Sequence, residues 1–139
     1  AIEKPILYAS SAVVHWDSTC QYAFSRREDE RRLADSGLPY AILRPSAPYG
    51  PKLLCHQPSH KESFHTLVEL IRKSPITPMI GNGQYTRQPL HVEDFALAGV
   101  ALLEKGIDRQ SFDIGGATQL TMREIIETLA KKMGKRREV

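Results

Sequence analysis

Tyr22 and Arg26 lie four residues apart in a stretch, Gln21 to Asp35, that reads as a helix. That spacing puts the phenol and the guanidinium on one face, a single turn apart. A fixed cation beside a phenol favours phenolate, so the pair is a candidate acid/base. The plain alternative is a Tyr and an Arg that share an amphipathic face and do no chemistry. Ser11 closes a short apolar run, Ile6-Leu7-Tyr8-Ala9, which suits a buried parallel strand. A hydroxyl there sits at the carboxyl end of a strand, where open α/β sheets bind ligands, and could orient a substrate oxygen.

Two other groupings compete for attention. Cys55, His56, His60 and His65 offer four metal donors within eleven residues. Their spacing matches no standard zinc pattern and His65 falls on a helix, so no metal is expected. His15 and His91 read as packing or locally hydrogen-bonded residues. Gly81-Asn82-Gly83 has no third glycine at phosphate-loop spacing and no helix behind it, so it reads as a turn. Neither Gly-x-x-Gly-x-x-Gly nor Gly-x-Gly-x-x-Gly follows a strand in the 139 residues.

The elements that must position these residues alternate. After the first strand, Ser18 or Thr19 can cap the helix Gln21–Asp35, with Gly37 behind its end. Tyr40-Ala41-Ile42-Leu43 is a second strand stopped by Pro45, which completes a βαβ unit. A Pro-rich loop, 45–58, precedes a helix capped by Ser63, with Phe64, Leu67, Val68 and Ile71 on one face. Met79-Ile80 and Leu90-His91-Val92 read as short extended segments. Phe95–Leu103 is apolar nearly all round and is expected to pack deeply, with Glu93 and Asp94 at its N-terminus. Phe112-Asp113-Ile114 forms another strand, and Thr121-Met122-Arg123-Glu124 is a capping box opening a last helix through Met133. The expected fold class is α/β.

Composition sets the class. With 41% hydrophobic and 25% charged residues, the chain is ordinary for one globular domain, spanning 1–139. The net charge is +3. Its basic clusters, Arg26-Arg27 with Arg31-Arg32 and the tail from Lys131, are interleaved with carboxylates. A solvated helix face is the leading reading and nucleic-acid binding the lesser one. Cys20 and Cys55 make no CxxC, which fits a reducing compartment. With no apolar run of membrane length and no leader pattern, a cytoplasmic protein without a membrane partner is expected.

Five segments, in order, resemble one family. They are Tyr8-Ala9-Ser10-Ser11-Ala12-Val13-Val14; Tyr22-Ala23-Phe24-Ser25-Arg26 with Glu30; and Leu38 to Ser46 with Tyr49-Gly50-Pro51. The other two are Gly81-x-Gly83 through Arg87-Gln88-Pro89-x-His91-Val92-x-Asp94, and Ser111 to Gly116 with Leu120-Thr121-x-x-Glu124-Ile125. Together they resemble the carboxy-terminal half of NAD(P)-dependent epimerase/dehydratase proteins, extended or atypical short-chain dehydrogenases. The resemblance implies the second half of a Rossmann-like parallel sheet in residues 1–50, and small substrate-side α/β elements in 51–139. It implies Tyr22 as acid/base, Ser11 as its hydrogen-bonding partner, and Arg26 in place of a lysine that holds the nicotinamide ribose. Pro45 and Ser46 would lie near the nicotinamide of NAD or NADP, and Arg87 would contact the diphosphate of a nucleotide-linked sugar.

The sequence departs from the family at four points. The Ser11-to-Tyr22 gap is short for nucleotide-sugar epimerases and better resembles atypical members of the family. Arg26 keeps the charge of the lysine but cannot relay a proton. Ala47 stands where many sugar-nucleotide enzymes carry an asparagine. The glycine-rich phosphate turn is missing. The expectation is therefore a fragment of an oxidoreductase or epimerase/dehydratase, inactive alone, or else a chain that associates as a homo-oligomer to cover the open sheet edge. The alternative is a non-catalytic relative acting as a binding or assembly module.

Overall fold

The computed structural model describes residues 4–17, 19–51, 63–74, 79 and 81–135. The central sheet is parallel, with β1 (Ile6–Ala9) beside β2 (Tyr40–Pro45) and β2 beside β6 (Gln110–Ile114). Tyr8 pairs with Ile42, and Arg44 with Asp113. Strand period sorts the side chains. Tyr8 and Ser10 turn to one face, where their hydroxyls bond α1 (Gln21–Asp35), whereas Leu7 and Leu43 turn to the other, against α3 (Val92–Lys105). The α/β expectation holds, with helices on both faces of a parallel sheet.

Several boundaries differ from the sequence reading for local reasons. Thr19 does not cap α1, and Ser18 lies outside the described residues. Cys20 caps the helix, its Sγ accepting from Ala23 N at 3.5 Å. β2 runs two residues past Leu43 because Pro45 sits at the strand's last position. There the bond to Ile114 O comes from Ser46 N, at 2.8 Å. Ser63 is the first residue of α2 (Ser63–Lys73) and Ile80 lies outside the described residues.

α3 also starts earlier than expected, capped by His91, whose Nδ1 accepts from Glu93 N at 3.4 Å. It is not deeply packed. Gly99 is its buried residue, against Leu7 and Leu43, while Leu97 is 65% exposed and Val100 and Leu103 are 50% exposed. The helix meets the central sheet along one stripe, and much of its apolar surface stays exposed. An apolar groove of about 180 Å³ lies there, between Leu7 and Ala9 on β1 and Phe95, Val100 and Leu103 on α3.

A second core joins α2 to α4 (Met122–Lys132) through buried Ile71, Ile126 and Ala130, flanked by Leu67, Met79 and Leu129. The capping box is formed as expected, Thr121 Oγ1 accepting from Glu124 N and the Glu124 carboxylate accepting from Thr121 N. Lys135 folds back to donate to the carbonyls of Ile71 and Arg72. Two-residue strands complete the chain. β3 (Pro48–Tyr49) pairs with β5 (Leu90–His91), and β4 (Thr86–Arg87) pairs with β7 (Leu120–Thr121). On the exposed face of α1, Glu28 and Asp35 pair with Arg31, and Glu28 also with Arg32, which is the solvated charge pattern the sequence suggests. No described helix is long and apolar enough to cross a membrane.

Candidate functional site

The inward side chains of β1 meet α1 through two polar groups of residues. In the first, Ser10, 6% exposed, donates to Glu30 Oε1 at 2.5 Å. Arg44 grips the same carboxylate from Nη2 at 2.7 Å and Nε at 3.0 Å. Asp113 lies 3.9 Å from Arg44 and holds His15 Nε2 at 2.7 Å. This line of contacts fastens α1, β1, β2, β6 and the 3-10 turn Ala12–His15 to one another. Burial alone would raise the Glu30 carboxyl. The hydrogen bonds from Arg44 and Ser10 outweigh it and hold the group below the usual carboxylate value.

The second group contains the candidate acid/base. Tyr8 donates to Asp29 Oδ2 and accepts from Arg26 Nη1, both at 2.8 Å. Burial, reinforced by the bond to Asp29, raises the Tyr8 phenol above its ordinary value. Arg26 Nη1 also reaches the Ala9 carbonyl at 3.5 Å. Its Cζ lies 5.2 Å from the centroid of the Tyr22 ring, so the helix spacing does bring the cation to the phenol that the sequence singles out. Tyr22 is half exposed.

Ser11 N-caps the 3-10 turn, its Oγ accepting from Val13 N at 3.3 Å. It opens onto a cleft of about 340 Å³ beyond the carboxyl ends of β1 and β2. Pro45, Ser46 and Arg87 line the same cleft, as do Trp16 and Gln119. Four sequence-predicted residues thus converge. Tyr22 and Arg26 are not among the lining residues; they sit on the α1 side of β1, where Arg26 reaches the carbonyl of Ala9, the last residue of the strand.

The cleft wall is set by backbone geometry. Ala47 has φ 44°, a left-handed conformation that costs an L-residue roughly 1 kcal/mol. Asparagine tolerates this region better than alanine. At Gly116, a Cβ would overlap the Pro89 carbonyl oxygen, so only glycine lets the loop after β6 cross beneath β5. Gly83, φ 72°, makes the turn expected at 81–83. Among the described residues no group of three or more His, Cys, Asp and Glu is placed to hold a metal. Cys55, His56 and His60 lie outside the described residues, and His65 Nε2 is 3.0 Å from Gly50 O.

Sequence reasoning missed Tyr8, Trp16, Gln119 and the Glu30–Arg44 pair. Tyr8 carried a usable signal, because the period of β1 places it on the face of Ser10. Trp16 carried none beyond being the single tryptophan.

The sequence profile of the NAD dependent epimerase/dehydratase family matches residues 13–115. The chain belongs to this family. Among curated family relatives, dTDP-glucose 4,6-dehydratase of Escherichia coli is 30% identical over 95 residues, covering 68% of this chain and 25% of that protein. GDP-L-fucose synthase of Escherichia coli (strain K12) is 26% identical, over 70% of this chain and 35% of that protein. UDP-glucuronic acid 4-epimerase from Bacillus cereus, solved with UDP-glucuronic acid and NAD, superposes with a TM-score of 0.75 at 26% identity. The match covers 95% of this chain and 46% of the epimerase. UDP-glucose 4-epimerase from Thermotoga maritima, at 21% identity and a TM-score of 0.76, shares the fold over 97% of this chain and 49% of its own. This family member therefore spans between a quarter and about half the length of the relatives it matches. The expected Rossmann-like fold and the family resemblance both stand.

Proposed function

We propose that this chain supplies the acid/base and substrate side of an NAD(P)-dependent epimerase/dehydratase reaction on a nucleotide-linked sugar. The observation that carries the reading is the convergence of Ser11, Pro45, Ser46 and Arg87 on one cleft at the carboxyl ends of parallel strands. The residues fit the nicotinamide end of the cofactor. Arg26 has a buried Nε with no hydrogen-bond partner, beside the Tyr22 ring and the end of β1, and Pro45 and Ser46 line the cleft beyond the carboxyl ends of the strands. They do not fit the pyrophosphate end, since no glycine-rich phosphate turn is among them.

When bound, the nicotinamide accepts or returns a hydride. The protein's part is proton management. Tyr22 exchanges the proton of a substrate hydroxyl, Arg26 holds its positive charge against the Tyr22 ring, and the Ser11 hydroxyl orients the substrate oxygen. Arg87 binds the diphosphate. Calorimetric titration of UDP and dTDP tests this last role. Binding is expected for the native chain, and Arg87→Ala is expected to weaken it roughly 10- to 100-fold, the loss of a charge-assisted contact. An unchanged affinity overturns the assignment.

The chain alone is expected to turn over no sugar nucleotide with NAD or NADP. Measurable binding of either cofactor by calorimetry, lowered by Tyr22→Phe or Arg26→Ala, contradicts this expectation. One observation favours a second reading, a non-catalytic binding module. The Arg26 guanidinium is hydrogen-bonded to Tyr8 and carries a charge that it cannot release.

The outer edge of β1 has no strand beside it among the described residues, and the apolar groove lined by Val100 and Leu103 adjoins it, with exposed Leu97 on the same helix. In the isolated chain we take a second copy to cover this surface. Sedimentation should show weight-average mass rising with concentration, and Leu97→Lys with Leu103→Lys should hold the chain monomeric. A native chain that stays monomeric at high concentration removes the association.

A further inference from the structure

We propose that Trp16 and Tyr85 are positioning residues that hold the Arg87 guanidinium ready for a phosphate-bearing substrate. The inference rests on the assignment of Arg87 to substrate binding and extends it to the two aromatic residues that flank its guanidinium. Arg87 Cζ lies 5.6 Å from the Trp16 ring centroid and 5.3 Å from that of Tyr85. Trp16 follows the 3-10 turn that begins at Ser11, on the acid/base side. Tyr85 precedes β4, on a segment that is itself fixed: its carbonyl accepts from Met122 N at 3.0 Å, and Gln119 Nε2 donates to Thr86 Oγ1 at 2.7 Å.

The chemistry of the contact is directional. An aromatic ring attracts the face of a guanidinium, which leaves its N–H groups in the plane to donate elsewhere. A planar fork of donors matches the paired oxygens of phosphate. No carboxylate among the described residues pairs with Arg87, and the polar part of the cleft lining is hydroxyl and amide, including Ser46, Thr86, Gln88 and Gln119, beside apolar Ala12 and Val13. A free arginine side chain must be immobilised when its ligand binds; one already held by two rings has lost much of that freedom beforehand. The rings therefore raise affinity without touching the anion.

Trp16 is 53% exposed, so its replacement should leave the fold intact. It is also the one tryptophan of the sequence, so its fluorescence reports on this contact alone. UDP, inorganic pyrophosphate and uridine serve as probes for the native chain and for Trp16→Leu, Trp16→Phe, Tyr85→Leu and Arg87→Ala, with thermal melts run on each. UDP and pyrophosphate, but not uridine, should change the Trp16 emission. Trp16→Leu and Tyr85→Leu should each weaken UDP binding about fivefold at unchanged melting temperature, from lost cation–π contact and lost preorganisation. Trp16→Phe, which keeps a ring, should recover most of the affinity. If Arg87→Ala loses UDP while Trp16→Leu and Tyr85→Leu bind it like the native chain, the positioning role is wrong and the Arg87 assignment stands. If Arg87→Ala binds UDP as the native chain does, or the native chain does not bind it, the assignment beneath the inference fails.

Discussion

Glu30→Gln is expected to lower the melting temperature by roughly 10 °C. The side chains of Glu30 and Arg44 are 12% and 18% exposed, and the guanidinium reaches both carboxylate oxygens. Removing one partner of a buried pair costs about 3 kcal/mol, because the other charge stays in place with its desolvation uncompensated. Arg44 would keep only Asp113, at 3.9 Å, and the buried Ser10 hydroxyl would lose its charged acceptor. For a chain of this size each kcal/mol shifts the midpoint by about 3 °C. Glu28→Gln is the control: its partners Arg31 and Arg32 lie on the exposed face of α1, and the midpoint should hardly move.

The same pair gives stability a pH dependence with a definite sign. The Glu30 carboxyl lies below its unfolded value, since the bonds from Arg44 and Ser10 outweigh burial. The unfolded chain therefore takes up the proton at higher pH than the folded one. The Glu30 contribution is complete above the unfolded carboxylate value of about 4.3, and it is lost as pH falls through the folded value. Melts from pH 7 to pH 3 should show native and Glu30→Gln curves converging at the acid end. Parallel curves, or a variant within two degrees of native at pH 7, contradict the role given to this pair.

What the sequence made legible was local. β1, α1, β2 and the Thr121 capping box each announce themselves within a few residues, through apolar runs, a glycine behind a helix end, or paired capping side chains. Ser11, Pro45, Ser46 and Arg87 were found because the family's segments carry them in order, and the fold does bring those four to one cleft. The burial of α3 was misread because an apolar helix says what it needs and not what covers it; here one stripe meets the sheet and the rest does not. Of the two-residue strands, β5 was read from Leu90-His91, whereas β3, β4 and β7 are too short to leave a period. Glu30 and Arg44 each stood in a quoted segment, yet their pairing depends on α1 lying over β2 at a particular height, which no local pattern records. Trp16 on Arg87 is the same case across the cleft.

Tyr22→Phe should lower kcat by about 10²- to 10⁴-fold when this chain works together with a dinucleotide-binding half, with KM little changed. The substitution removes one oxygen and keeps the ring that faces Arg26 at 5.2 Å, so the α1 contact to that cation persists. The side chain is half exposed, so the melting temperature should not move. Uniform loss of binding would raise KM instead; loss confined to kcat marks a group needed only as the proton moves. Arg26→Lys separates the cation's two duties. A lysine keeps positive charge near the phenol but gives up the planar contact with Tyr22 and the reach to both Tyr8 and Ala9. If charge alone matters, Arg26→Lys should retain most of kcat, while Arg26→Met should lose it in step with Tyr22→Phe. A Tyr22→Phe protein that turns over within threefold of the native rate would remove Tyr22 from the chemistry. The binding-module reading, with Arg26 serving Tyr8 rather than Tyr22, would then account for the same contacts.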